Sequence, residues 1–218
     1  MPRNSRSYKP LIYVFCEGES EQAYTDFLKK KFQKCARIKY PKSTGLFEKA
    51  QEKFKKEIKY RNEKDVIDEI WFFFDIEIDE KAKWEQRLKI INALRRMRRD
   101  KQIKVRLLMT TGCIEYWLML HYKMFAPAIK TTGDKKRILN ELKTMEPNYE
   151  KGDFASIEKI GQHYKNAMKN AGTILKTLLK DGMPCLEDTD ERNQWLYVQE
   201  KTFSNVHEAI AFLEALKE

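Results

Sequence analysis

The chain has 218 residues, 42% of them apolar and 12% aromatic, and carries a formal net charge of +10. That much apolar material buries one good core, or a core with a smaller attached part; no apolar run approaches the ~20 residues of a membrane span and the N-terminal MPRNSRSYKP lacks the apolar centre of a secretory signal, so a cytoplasmic protein is expected. The four cysteines include no CxxC pair and the three histidines are dispersed, which excludes the spacing of a zinc site or a disulfide framework.

In chain order, LIYVFC (11–16) is a continuous apolar run of strand length, rich in β-branched and aromatic residues, and reads as a buried strand closed by Cys16. Ser20 then stands where it can cap a helix carrying Tyr24, Phe27, Leu28 and Phe32 at helical spacing. ARIKY (36–40) is a short alternating strand closed by Pro41, and residues 43–61 form a Lys/Glu-rich helix with Leu46, Phe47, Ala50 and Phe54 inward. EIWFFFD (69–75) is the most strand-like run of the chain. A helix over residues 81–99 buries Trp84, Leu88, Ile91 and Leu94, and KVRLLMT (104–110) returns to strand. Strands separated by helix-length stretches need crossover connections, which predicts an α/β fold with a mainly parallel sheet flanked by helices.

Beyond Thr110 the strand signal fades. CIEYWLMLHYKMF (113–125), residues 135–145, residues 154–179 with bends at Gly161 and Gly172, and a last stretch from Ser204 read as helices, joined by polar turns at 129–134 and 181–193. The expected organisation is an α/β domain over residues 1–125 with a mostly helical C-terminal region, residues 126–218, packed on it.

The charge is uneven. Residues 29–64 hold 14 Lys/Arg against four Glu and residues 81–106 hold 11 against two acids, whereas residues 181–218 hold three against nine. Excesses of that size go beyond solvating helix faces, and a phosphate backbone is their usual counterpart. Arg95, Arg96, Arg98 and Arg99 span little more than one helical turn, so some must point away from the core, and these are expected to bind nucleic acid.

Sheets of this kind place their sites beyond the carboxyl ends of the strands. There the chain turns acidic: Glu17 ends the first strand, with Gly18 permitting a tight exit, and the third ends in DIEID, with Asp75, Glu77 and Asp79 two apart. In extended chain Asp75 and Glu77 point to one side, and Glu17 from a neighbouring strand can face the same space. Carboxylates so close repel one another unless a cation sits among them, and oxygen-only ligands suit Mg²⁺ or Mn²⁺ rather than zinc. Structural readings stand beside these. Glu19 and Glu21 fall in the first turn of a helix, where the dipole favours acids; Asp79 and Glu80 can open the next helix, and Glu115 its own. A register using Glu77 and Asp79 is an alternative; Asp75 and Glu77 are preferred because Asp75 directly follows the apolar strand.

Four ordered blocks, FCEGESEQAY, FFFDIEID, TTGCIEYWLMLHY and TFSNVHEAIAFLEAL, spread over nearly the whole chain and together resemble the RloB family, also represented among phage abortive-infection proteins and built on a Toprim domain. The resemblance implies a Toprim-like fold and a Mg²⁺- or Mn²⁺-dependent nuclease that hydrolyses nucleic-acid phosphodiester bonds in anti-phage defence. Carried over residue by residue, it puts catalytic and metal-binding roles on Glu17, Asp75 and Glu77 and a further metal contact on Glu115; Glu21 and Asp79 are expected to support these from around them. Two departures stand out: the second acid of the family's DxD is a glutamate, and its S-N-P is replaced by Thr111, Gly112 and Cys113. DNA or RNA is the expected partner. The resemblance also implies an ATPase partner protein; the chain itself has no G-x-x-x-x-G-K-[ST] loop. Two other readings stay open: a nucleic-acid-binding effector subunit that needs a partner for activity, and primase-like nucleotidyl transfer.

Overall fold

The structure, a computed structural model, describes residues 8–217, the side chains of residues 78–80 excepted. Strands β1 (Leu11–Cys16), β2 (Arg37–Lys39), β3 (Glu69–Ile76) and β4 (Lys104–Thr111) form one sheet in the order β2-β1-β3-β4, and every neighbouring pair is parallel. Parallel neighbours need crossovers, which α1 (Glu19–Lys31), α2 (Phe47–Lys56) with α3 (Ile58–Glu63), and α4 (Trp84–Arg95) supply. The register sets Cys16 beside Phe73 and Asp75 beside Thr110, so β1, β3 and β4 reach the same edge.

The central strands read as unbroken apolar runs because both of their faces are covered. Phe47 of α2 stacks on Phe72 with centroids 4.2 Å apart, while Tyr24 of α1 meets Phe73 edge-on from the other side. Burying each such ring stabilises the fold by about 1.5–3 kcal/mol. After β4 come α5 (Ile114–Met119), α6 (Thr132–Met145), α7 (Phe154–Gly161), α8 (Tyr164–Lys180), α9 (Asp190–Val198) and α10 (Val206–Ala215). Helix α7 packs on α1, and α10 on both α8 and β4, so the buried apolar cluster continues from the sheet into the C-terminal half. The outer edge of β4 is closed by Asn205, whose side chain accepts from Met109 N at 2.7 Å and donates to Leu107 O at 2.8 Å. Among the described residues no helix is long and apolar enough to cross a membrane.

Several helix bounds differ from the sequence reading. The cap of α1 is Gly18, not Ser20: Glu21 reaches back to accept from Gly18 N at 3.0 Å, and Ser20 Oγ accepts instead from Gly152 N. Residues 43–61 are broken at Glu57, which is extended (φ −86°, ψ 122°). The helix expected over 81–99 ends at Arg95 and follows a 3-10 turn, Ile78–Lys83. Helix α5 stops at Met119, and the stretch 154–179 is two helices meeting at Gln162 and His163. Helix α9 begins within the expected polar turn 181–193. Two of its buried positions are Arg192 and Asn193, which erase the apolar periodicity; Arg192 is held by both oxygens of Glu208, at 2.5 and 2.9 Å.

Candidate active site

Strands β1 and β3 end side by side. Glu17 N donates to Phe73 O, and Asp75 N donates to Glu17 Oε2 at 2.8 Å, which brings the first two acids together. At the end of β4 the chain turns at Gly112, whose φ of +78° is left-handed, and a Cβ there would lie 2.4 Å from Ile129 Cγ2. Only glycine fits both demands. The turn launches α5, whose Ile114 N donates to Asp75 Oδ2 at 3.2 Å and whose Glu115 is buried to 1% exposure.

One open cavity of about 410 Å³ is lined by Glu17, Glu21, Asp75, Glu77 and Glu115. Glu21 is buried and faces these neighbours from the first turn of α1. Burial, with the charges of Glu21, Glu17 and Glu115 adding to it, holds the Asp75 carboxyl well above the usual carboxylate range. Burial likewise pushes Glu21 up to about 7, with Glu17 and Glu115 contributing. Asp75 Oδ1 is buried and has no hydrogen-bond partner among the described residues.

Counter-charges arrive from the C-terminal half. Lys151 Nζ and Tyr149 OH both reach Glu115 Oε1, each at 3.1 Å, and Lys135 pairs with Glu77. Sequence reasoning passes over all three, because they lie far along the chain: Lys135 stands near the start of a helix whose pattern does not say what it faces, and Tyr149 and Lys151 stand in the connection between α6 and α7. One sign is available: YEKGD (149–153) has the composition of a turn, and its Gly152, at φ +75°, packs against Glu19.

Glu19 is exposed on the cavity wall. The side chain of Asp79 lies outside the described residues. The arginine run is not brought to the acids. Helix α4 runs back against the strands, and Ile103 N, just before β4, bonds to Arg95 O, so the run sits at the amino edge of the sheet. Arg95 forms a two-pronged pair with Asp190 at 2.7 and 2.6 Å, Arg98 pairs with Asp100 and Asp68, and Arg96 and Arg99 are not buried.

Among the described residues no group of three or more His, Cys, Asp and Glu side chains is drawn together as a metal-ligand set. Glu17, Glu21 and Glu115 each spend a carboxylate oxygen on a donor of the protein itself. In chemical type the residues nevertheless fit a hard divalent cation: the donors are all oxygens, one of them is buried without a partner among the described residues, and burial together with the neighbouring acids raises the carboxyl pKa values of Asp75 and Glu21, which a cation would lower.

A parallel sheet covered on both faces defines an α/β protein, and its candidate site is the group of acids gathered beyond the carboxyl ends of the central strands. The family model for RloB-like protein matches residues 12–213, and the chain belongs to that family. No curated protein and no solved structure matches it.

Proposed function

We propose that the acid cavity is the catalytic centre of a Toprim-type nuclease that hydrolyses nucleic-acid phosphodiester bonds with Mg²⁺ or Mn²⁺, and that it serves in anti-phage defence as the resemblance to abortive-infection proteins suggests. The observation that carries the reading is Asp75: a strand-end carboxylate with a buried, unpartnered oxygen, surrounded by Glu17, Glu21 and Glu115. A bound divalent ion would supply charge stabilisation at the scissile phosphate and an activated water. Asp75 and Glu77 are the residues that would hold it, with Glu17 as a further ligand or as the base, and Glu115 steadied by Tyr149 and Lys151. Glu21, at about 7, keeps a proton on a large share of molecules at neutral pH and releases it when positive charge enters the cavity.

The test is cleavage of nicked, supercoiled and single-stranded substrates in Mg²⁺ or Mn²⁺, with and without nucleotides. Asp75→Asn and Glu17→Gln are expected to abolish hydrolysis at matched concentration and fold. Unchanged cleavage by either variant removes that residue from the centre, and product growth that requires added nucleotides would favour nucleotidyl transfer instead.

A further inference from the structure

Next to the acid cavity, and sharing its wall at Glu77, Gly112 and Lys135, lies a second cavity of about 480 Å³ that the acids do not explain. Three lysines face it: Lys81, Lys130 and Lys135. Two of them grip one carboxylate from either side, Lys81 Nζ on Glu200 Oε1 at 3.0 Å and Lys130 Nζ on Glu200 Oε2 at 2.7 Å, while Lys135 pairs with Glu77. Three ammonium groups thus meet two carboxylates, leaving a net positive cavity against the acidic one.

The pairs around Glu200 are solvent-accessible, with Lys81, Lys130 and Glu200 side chains 34%, 52% and 45% exposed. Such pairs are weak, and a better anion can replace the carboxylate. Elsewhere the wall offers only a narrow apolar strip, at Ile76 and Ile129, which are 8% and 5% exposed. A cationic rim beside a narrow apolar strip, in a volume within the usual range for small-ligand pockets, matches a nucleotide, which offers an anionic phosphate and a less polar sugar and base.

We propose that this cavity seats a nucleotide unit of the nucleic-acid strand adjoining the linkage at the acid cavity, its phosphate taking the place of the Glu200 carboxylate between Lys81 and Lys130. Its sugar and base lie along the strip at Ile76 and Ile129. The position beside the cleaved linkage rests on the nuclease reading; the binding itself does not.

The experiment is fluorescence anisotropy of labelled single-stranded oligothymidylate and oligouridylate in EDTA, where no metal-dependent cleavage can occur, with thermal melts confirming that each variant is folded. The double variant Lys81→Gln, Lys130→Gln is expected to bind about tenfold more weakly and to reduce the slope of log affinity against log salt by about 1.4, or ~0.7 for each lysine. Glu200→Gln is expected to bind several-fold more tightly, because the competing carboxylate is gone. A nucleoside 5′-monophosphate is expected to displace the oligonucleotide at lower concentration than inorganic phosphate. Unchanged affinity and slope in the lysine variant, or no gain with Glu200→Gln, overturns the site, and equal displacement by phosphate overturns its assignment to a nucleotide. The two readings fail separately: Asp75→Asn that still cleaves removes the nuclease centre while leaving the binding result intact.

Discussion

At Asp75 the proposed function and stability pull in opposite directions. Its carboxyl is buried at a crowded strand end, where burial and then the neighbouring acids raise its pKa, and one oxygen finds no donor among the described residues. An amide in its place removes the charge and offers an N–H to the neighbouring carboxylates. Asp75→Asn is therefore expected to lose cleavage yet melt higher, with a gain on the order of 1 kcal/mol; a lower melt would show that Asp75 is an ordinary structural acid. His121 makes a second residue-scale case. Its Nδ1–H donates to Trp117 O, its Nε2 accepts from Tyr24 OH, and burial lowers its pKa to about 3; burial also lowers that of His207 to about 4. Both stay neutral in the folded chain while the unfolded chain takes up protons below pH ~6.5. Stability from these groups is thus fully present above pH ~6.5 and is lost as pH falls through that value towards 4 and below. Thermal melts between pH 8 and 5 should show a smaller acid loss for His121→Gln than for the wild type, the carboxylates common to both cancelling in the difference. Equal losses would mean that His121 already carries its proton in the native state.

Among the elements, the turn between β4 and α5 controls the site. Gly112 forms a wall of both cavities and sets the exit angle that carries Glu115 into the first. Gly112→Ala must adopt a left-handed backbone and push Ile129 aside, a combined cost of about 2–4 kcal/mol. Its melting temperature should fall by roughly 5–15 °C for a chain of this size. An unaltered melt would show that the turn relaxes without cost. The family's S-N-P is absent here, and the local geometry accounts for the glycine: Ile129, from the segment before α6, fills the space a side chain would need. Elements with apolar periodicity, such as β1, β3 and α1, are readable in sequence. Helix α9 is not, because its inward residues include Arg192, whose buried charge is met by Glu208 on another helix and by Leu186 O.

Across the whole molecule, the arginine run and the acids occupy opposite edges of one sheet. Strand β3 has eight residues, so Arg96 and Arg99 lie roughly 25 Å from the acid cavity at ~3.3 Å per residue. A substrate shorter than that span cannot touch both. Arg96→Gln with Arg99→Gln should therefore leave binding of a short single strand unchanged, and should flatten the salt response only for a long duplex, by about 0.9 for each arginine that grips a phosphate. A weakened grip on the short strand would bring those arginines into the site itself. Two lysines that meet the acids, Lys135 and Lys151, come instead from the C-terminal half, which packs its helices on α1 and β4.

The sequence by itself determined the parallel α/β sheet, the order of its strands along the chain and the acids at the strand ends, because burial on two faces writes continuous apolar runs, and the residues that follow such runs stand at a sheet edge. It also identified the family, through blocks near Glu17, Asp75 and Glu115. Tertiary structure alone decided which strands neighbour one another, and hence that Glu17 accepts from Asp75 N, that Glu115 turns inward against Tyr149 and Lys151, and that Lys81 and Lys130 close on Glu200. These partners are separated by tens of residues and carry no periodicity. Their pairing depends on where the crossovers return the chain, which no local pattern records.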